Sequence, residues 1–188
     1  MKSFFSTFKD SAAELKTVRC LTVTGILVAI FIILDMFSIR IGDFIKVNFA
    51  FTALASVGML FGPVPAMLAA LAGDLIGCIL GGQAPLPLLS CTAVLEGLLY
   101  GVMLYKRSGV KLVTMSVIAR VADSAVISLV LNTLVLRYYN FMSSTAEQFY
   151  IRCGKIAGEL IVFIPLVIIV MPAVASVYGK IFKRKSQI

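Results

Sequence analysis

The sequence predicts an all-α integral membrane protein, built as one bundle of six transmembrane helices with both termini in the cytoplasm. Of its 188 residues, 60% are hydrophobic and only 14% are charged, whereas a soluble domain is about half apolar and roughly a quarter charged. The mean hydropathy is +1.03, and the length suits about six helices of ~20 residues joined by short loops. We expect an amphipathic cytoplasmic helix at 1–18, the six-helix membrane domain at 19–181 and a basic cytoplasmic tail at 182–188.

The basic residues are distributed according to the predicted topology. Apolar spans are predicted at about 19–37, 45–61, 63–80, 87–105, 112–136 and 155–178. Lys and Arg cluster before the first span, in the loop at 106–111 and after the last span, which the positive-inside rule assigns to the cytoplasm. The net charge of +8 therefore does not indicate a nucleic-acid partner. Five basic residues then face outside, which is a reason to expect an anionic ligand there: Arg40, Lys46, Arg137, Arg152 and Lys155.

The N-terminal stretch at 1–17 predicts an amphipathic helix on the cytoplasmic membrane surface. Phe4, Phe5, Phe8, Ala12 and Leu15 form one apolar stripe, and the lysines between them can meet acidic lipid headgroups. A frayed tail is the alternative. No cleavable signal peptide is expected, because the stretch lacks a short apolar core followed by a small-residue cleavage site.

Small residues recur on the first and third spans. Gly25 and Ala29 are four residues apart on the first span, and Ala66, Ala70 and Gly73 lie on the third. Such spacing lets helix backbones approach closely. It fits either packing within the bundle or a smooth surface on which another membrane subunit docks.

Between the first two spans, the segment at 38–48 alternates polar and apolar residues, which favours an extended loop over a helix. Arg40, Lys46 and Asn48 would point the same way from such a loop. A loop folded over a pocket would account for these polar groups, and an ordinary solvated loop is the alternative.

The last span opens with charged residues. Arg152, Lys155 and Glu159 fall at i, i+3 and i+7, so on a helix they share one face. Charge at a span entrance is costly unless it faces protein, water or a ligand. We interpret this face as one wall of a polar pocket near the outer surface, although Arg152 and Lys155 could instead snorkel to lipid headgroups.

Two polar residues within the outer half of the spans are ligand-binding candidates. An acidic residue inside a span, such as Asp74 on the third span, is a functional candidate by default. Its alternative role is a helix-to-helix hydrogen bond to Asn132, Ser90 or Thr92. Asn132 lies near the outer end of the fifth span and is predicted to contact the ligand.

The fourth span carries Glu96 and Tyr100, and the fifth carries Arg120 and Asp123. Arg120 and Asp123 are three residues apart on one helix face, so they are expected to pair with each other in a structural role. Glu96 and Tyr100 are candidates for the ligand site.

The sequence lacks the residues that several kinds of active site require. The chain has no His and its four Cys lack metal-site spacing, so no metal site, His-assisted nucleophile or cofactor is expected. No Gly-rich phosphate loop is present, so the chain cannot hydrolyse ATP itself. A small passive channel or a membrane enzyme using paired carboxylates remains an alternative from a different class.

These residues resemble a known family, the substrate-binding (S) components of energy-coupling-factor (ECF) vitamin transporters, and within it the folate group most closely. The resemblance covers nearly the whole chain and rests on these segments: FKDSAAELK at 8–16, VRCL at 18–21, LASVGMLFGP at 54–63, AGDLIG at 72–77, LPLLSCTA at 86–93, GLLYG at 97–101 and LVLNTL at 129–134.

The resemblance implies a six-helix subunit of the bacterial plasma membrane that binds a vitamin, with folate the first candidate, near its outer face. It also implies docking onto a membrane-embedded coupling subunit driven by two cytoplasmic ATPase subunits. The docking surface would use the small residues Gly25, Ala29, Ala66, Ala70 and Gly73.

The sequence departs from the folate group in the last span. Folate-type members carry Arg-x-x-Lys about one turn nearer the proline, whereas Lys155 here lies ten residues before Pro165. Either Arg152 and Lys155 line the pocket, or Glu159 occupies the family's lysine position. Other cargo, such as pantothenate or a pyrimidine- or deazaguanine-type compound, therefore stays open.

The hypothesis assigns three tasks to side chains around the vitamin. Cations would attract its carboxylates, with Arg able to bind bidentately: Arg40, Lys46, Arg152 and Lys155. Polar side chains would accept hydrogen bonds from an amino-substituted ring: Asn132, Glu159, Asp74 or Glu96. Aromatic rings would stack on its flat face: Phe44, Phe49 and Tyr100. Asn48 completes the predicted loop contacts.

Overall fold

The computed structural model describes residues 2–41, 45–82, 84–139 and 146–183, and most of these residues are helical. The helices in chain order are α1 (Lys2–Glu14), α2 (Val18–Met36), α3 (Phe51–Phe61), α4 (Pro63–Leu80), α5 (Pro87–Leu104), α6 (Val110–Ala122), α7 (Asn132–Tyr138) and α8 (Ala146–Lys183). A π-helical segment, Asp123–Leu131, joins α6 to α7, and two short strands, β1 (Ile39–Ile41) and β2 (Ile45–Val47), lie between α2 and α3.

Five helical segments in the described part of the chain are long and apolar enough to cross a membrane, which confirms a helical integral membrane protein. They are Val18–Met36, Pro63–Leu80, Pro87–Leu104, Val110–Tyr138 and Ile156–Lys180.

The predicted second span, at about 45–61, is shorter than expected. Its first residues form β2, and the helix α3 has only 11 residues. At 1.5 Å per residue this is about 17 Å, well short of the ~30 Å hydrocarbon core. The residues of β2 form a strand and not a helix, because polar and apolar residues alternate there with the two-residue period of a strand.

Helix α3 is the centre of the bundle. Nearly all of its residues are buried, and it packs against α2, α4, α5 and α8. Glycines allow the closest approaches around it. A Cβ at Gly58 would lie 2.8 Å from the backbone nitrogen of Gly101, and one at Gly97 would lie 2.5 Å from the carbonyl oxygen of Ala66. Helices α3, α4 and α5 are therefore in backbone contact, as small residues permit in membrane bundles.

Helix α8 runs along α3 from one end to the other. Phe163 packs edge-on against Phe51 with ring centroids 5.0 Å apart, and Tyr178 packs edge-on against Phe61 at 6.1 Å. Both contacts join apolar rings in the preferred tilted geometry. They fix the long last helix to both ends of the central one.

The predicted extended loop between α2 and α3 is confirmed as a hairpin. Strands β1 and β2 are antiparallel, with Arg40 opposite Lys46, and β2 packs against α8. The side chains of Arg40 and Lys46 lie outside the described part of the structure, as does Phe44 altogether.

Helix α1 lies under the turn between α3 and α4. Ser11 is 0% exposed. Its Oγ donates to the carbonyl oxygen of Phe61 at 2.8 Å and accepts from the backbone N–H of Val64 at 3.0 Å. Gly62 sits against it with φ +87°, a left-handed conformation that favours glycine. One hydroxyl therefore satisfies the end of α3 and the start of α4 together.

Replacing Ser11 by Ala should destabilise the bundle, because the carbonyl of the buried Phe61 and the N–H of the half-buried Val64 both lose their partner. We expect a loss of about 1–3 kcal/mol, seen as a lower melting temperature by circular dichroism in detergent. Ser176→Ala is the control, since Ser176 is exposed and its hydroxyl donates to the carbonyl oxygen of Ala173 in the same helix. Equal melting temperatures for both variants would contradict the assigned role of Ser11.

Candidate substrate-binding site

An ion pair occupies the middle of the bundle. Arg120 Nη1 lies 2.7 Å from Asp123 Oδ2, and the side chains are 11% and 6% exposed. The hydroxyl of Tyr100 accepts from Arg120 Nη1 at 3.3 Å and donates to the same Asp123 oxygen at 3.3 Å. The pairing of Arg120 with Asp123 predicted from their spacing is confirmed. Tyr100, which was expected to stack on a ligand, is 1% exposed and part of this network.

Two aromatic rings enclose the guanidinium of Arg120. Its Cζ lies 4.1 Å from the ring centroid of Phe51 and 4.4 Å from that of Phe163. A desolvated cation gains most from ring faces and from a hydrogen-bonded carboxylate. We call Arg120, Asp123, Tyr100, Phe51 and Phe163 the central cluster. It ties together α3, α5, α8 and the junction of α6 with the π-helical segment.

Hydrogen-bonded polar pairs lie on the hairpin side of the central cluster. The hydroxyl of Ser90 on α5 donates to Asp74 Oδ2 on α4 at 2.6 Å, and that of Thr92 donates to Asn132 Oδ1 on α7 at 2.7 Å. The helix-to-helix alternative considered for Asp74 is therefore present, through Ser90. Each bond crosses between helices, so it fixes the positions of polar atoms where the helices meet.

A third pair joins the hairpin to the first span. Asn48 Nδ2 donates to Asp35 Oδ1 at 2.6 Å, and Asn48 Oδ1 accepts from the backbone N–H of Ala50 at 2.8 Å. The side chain of Asn48 thus connects the residue just before α3 to α2.

Helix α5 links the polar pairs on the hairpin side to the central cluster. Thr92, Glu96 and Tyr100 are spaced four residues apart, so they lie on one face of the helix. Glu96 is half-buried and lies within electrostatic range of Asp123, Arg120, Asp35 and Asp74. This face carries polar groups continuously from the pairs on the hairpin side to the central cluster.

The remaining predicted ligand contacts lie on the hairpin and on α8. Glu159 is half-buried on α8, whereas the side chains of Arg152 and Lys155 on the same helix are outside the described part. Because β2 packs on α8 and precedes Phe51, which contacts Phe163, the strand of Lys46 lies beside the N-terminal part of α8.

Comparison with models of protein families identifies the family of this chain. The model of the family "ECF-type riboflavin transporter, S component" matches residues 15–179. The chain belongs to this family. The S component is thus a transporter subunit of the vitamin-binding class and not an enzyme, as the sequence resemblance indicated.

Structural comparison supports the same fold. The crystal structure of FolT bound with folic acid is similar with a TM-score of 0.67 and 22% identity, over 82% of this S component and 91% of that chain. A comparison with curated proteins gives no match.

The small residues expected to form a docking surface divide into two groups. Ala66 and Ala70 are 0% and 1% exposed, and a Cβ at Gly73 would lie 2.6 Å from the ring of Phe31. These positions of α4 pack inside the bundle of this S component, as the internal-packing alternative describes. Gly25 and Ala29 on α2 are exposed.

Sequence reasoning missed two parts of the site. The rings of Phe51 and Phe163 give no signal in an apolar chain with 13 Phe. Asp35 could have been found from its position near the end of the first span, where an acidic residue is costly without a partner.

Replacing Arg120 alone should destabilise the protein more than replacing Arg120 and Asp123 together. Arg120→Met leaves Asp123 buried without its cation, and we expect a loss of about 3–5 kcal/mol. Adding Asp123→Asn should restore part of that stability, because the uncompensated charge is removed. Thermal unfolding in detergent checks this. A double variant no more stable than Arg120→Met would contradict the account.

Proposed function

We propose that this S component captures a folate-type vitamin at the outer membrane face and delivers it inward after docking with the coupling module. The family match over 15–179 is the observation that carries the transport role, and it does not by itself choose folate as the cargo. The similarity to the fold of FolT, solved with folic acid, supports it. The proposed topology has six membrane-crossing segments and both termini in the cytoplasm. The short helix α3 is the second of these segments.

The ring of the vitamin would bind among the outer polar pairs. Asp74, Asn132 and Glu96 offer acceptor oxygens at the meeting of α4, α5 and α7. A pterin ring donates from an amino group and ring nitrogens, so it matches a set of carboxylate and amide acceptors. Since Ser90 and Thr92 already hold two of these groups in place, little ordering would be needed on binding.

The acidic tail of folate would meet the basic residues on the hairpin and α8. Arg40 and Lys46 face each other across the two strands, and β2 packs against the helix that carries Arg152 and Lys155. In this proposal, two adjoining elements would bring the four cations to one region. Glu159, one helical turn further along, would bind the ring if it takes the place of the family's lysine.

Riboflavin is the second candidate, because the matching family model is that of riboflavin transporters. Riboflavin has no carboxylate, so it would leave the four cations without a ligand charge. Folate binding should therefore depend on Arg152 and Lys155, whereas riboflavin binding should not.

Binding measurements on the purified S component separate the two candidates. We expect one folic acid per chain by isothermal titration calorimetry. Arg152→Ala and Lys155→Ala should each weaken folate binding by tenfold or more, since truncating one partner of a desolvated charge pair costs about 2–5 kcal/mol.

Lys180→Ala is the control, because Lys180 is exposed near the other end of α8. Tight riboflavin binding with no folate binding would overturn the choice of cargo. Unchanged folate affinity in both pocket variants would overturn the assigned cations.

The docking surface that we propose is the face of α2 around Gly25 and Ala29. Both residues are exposed, and a Cβ at Gly25 would meet nothing within 4 Å. Leu21 and Ile26 beside them are also exposed. A smooth apolar face of this kind permits close contact with a helix of the membrane-embedded coupling subunit, which two ATPase subunits would drive.

Gly25→Leu combined with Ala29→Leu should abolish co-purification with the coupling module while folate affinity stays the same. The added side chains fill only the outer surface, so the fold should tolerate them. Ala173→Leu is the matched control, since Ala173 is an exposed small residue on α8. Full recovery of the complex with the α2 variant would show that docking uses another face.

A further inference from the structure

A basic cleft lies at the opposite end of the bundle from the proposed vitamin site. It has a volume of about 510 Å³ and is lined by Thr7 of α1, Val102 and Tyr105 at the end of α5, and Lys106, Arg107, Ser108 and Lys111 around the start of α6. Three cations and three hydroxyls thus share one concave surface, and none of the described residues that line it carries a carboxylate. The proposed vitamin function makes no use of this cleft.

The charges in the cleft are only partly compensated. Lys106 Nζ lies 2.8 Å from Asp10 Oδ2, in a pair whose side chains are 63% and 55% exposed. That hydrogen bond raises the pKa of Lys106, so its ammonium stays charged. Across the residues with described side chains, neither Arg107 nor Lys111 has a salt bridge. Exposed pairs such as Lys106–Asp10 are weak, so an incoming anion could take over Lys106.

The backbone of the loop holds these cations in a fixed arrangement. Lys106 has φ +57°, in the left-handed region that residues other than Gly rarely adopt. Backbone N–H bonds from Arg107 to Leu104 and from Leu112 to Gly109 close the turn on both sides. A lysine held in an unfavourable conformation by its surroundings is a feature that often accompanies function.

The start of α6 adds donors to the same place. No side chain caps the helix at Gly109, so its first backbone N–H groups keep their partial positive charge beside Lys111. Together with the hydroxyls of Thr7 and Ser108, they match the oxygens of a tetrahedral anion.

The position of the cleft indicates where the anion comes from. Helices α5 and α6 are parts of membrane-spanning segments, and the cleft lies where α5 ends and α6 begins. Where a membrane-crossing helix ends, the chain is expected to reach the depth of the lipid headgroups. Val102 and the ring of Tyr105 give the cleft an apolar side, which suits the glycerol and upper acyl chain of a lipid and is of no use to a free ion.

We propose that this cleft binds the phosphate of an acidic phospholipid, with Lys106, Arg107 and Lys111 around the phosphate and Val102 and Tyr105 against the lipid's glycerol region. The bound lipid would bridge α1 to the α5–α6 loop at the membrane surface. This inference depends only on the chain crossing a membrane, so it is independent of which vitamin the S component takes.

The test is native mass spectrometry of the delipidated full chain in detergent, titrated with phosphatidylglycerol. We expect one tightly held lipid per chain. Arg107→Gln combined with Lys111→Gln should weaken its binding by about tenfold or more, since each cation near the membrane surface contributes appreciably to acidic-lipid binding. Arg107→Lys, which keeps the charge, should retain most of the affinity.

The matched control is Lys16→Gln combined with Lys180→Gln, which removes the same charge from exposed positions outside the cleft. Its lipid affinity should stay within twofold of the parent protein. An equal loss in both double variants would mean diffuse attraction and would overturn the site. Circular dichroism melting curves confirm that each variant is folded.

A second titration identifies the source of the phosphate. Glycerol phosphate at millimolar concentration should displace phosphatidylglycerol only weakly. If it competes as strongly as the lipid does, the cleft is a site for soluble phosphate compounds and the lipid assignment is wrong. Phosphatidylcholine binding as tightly as phosphatidylglycerol would also contradict the proposal, because its headgroup carries no net charge.

Discussion

The buried pair of Arg120 and Asp123 is the interaction on which the rest of the bundle depends. A charge at this depth is tolerated only because Asp123, Tyr100 and two aromatic rings compensate it. Each of these partners comes from a different part of the chain, so the compensation also dictates which helices must meet. The short α3 supplies Phe51 and the long α8 supplies Phe163. The interactions that compensate the charge of Arg120 therefore bring these segments together at the centre of the molecule.

The two ends of the bundle are specialised around that centre. On the hairpin side, hydrogen-bonded pairs hold carboxylate and amide oxygens between helices, an arrangement suited to a polar ligand. On the other side, Ser11 closes the α3–α4 turn, and the loop after α5 presents Lys106, Arg107 and Lys111 around one cleft. Thr92, Glu96 and Tyr100 share one face of α5, so polar side chains extend from the hairpin side of the bundle to the central cluster.

The membrane class and the local pairing of side chains could be predicted from the sequence. The contacts between segments distant in the chain could not. Composition decides the class, and a spacing of three residues is sufficient to pair Arg120 with Asp123. The burial of Ala66 and Ala70 could not be deduced, because a small-residue pattern looks the same whether the partner helix is inside or outside the bundle. The π-helical segment Asp123–Leu131 also departs from the regular period, so the face on which Asn132 lies could not be derived from a 3.6-residue repeat.

We propose that polar groups from α4, α5, α7, α8 and the hairpin form one binding cup above the central cluster. A crystal or electron cryomicroscopy structure of the S component with folic acid bound tests this most directly. The account predicts the pterin ring within hydrogen-bonding distance of Asp74, Glu96 or Asn132, with the carboxylates toward the hairpin and α8. Folic acid bound elsewhere, with these side chains still paired only to Ser90 and Thr92, would contradict it.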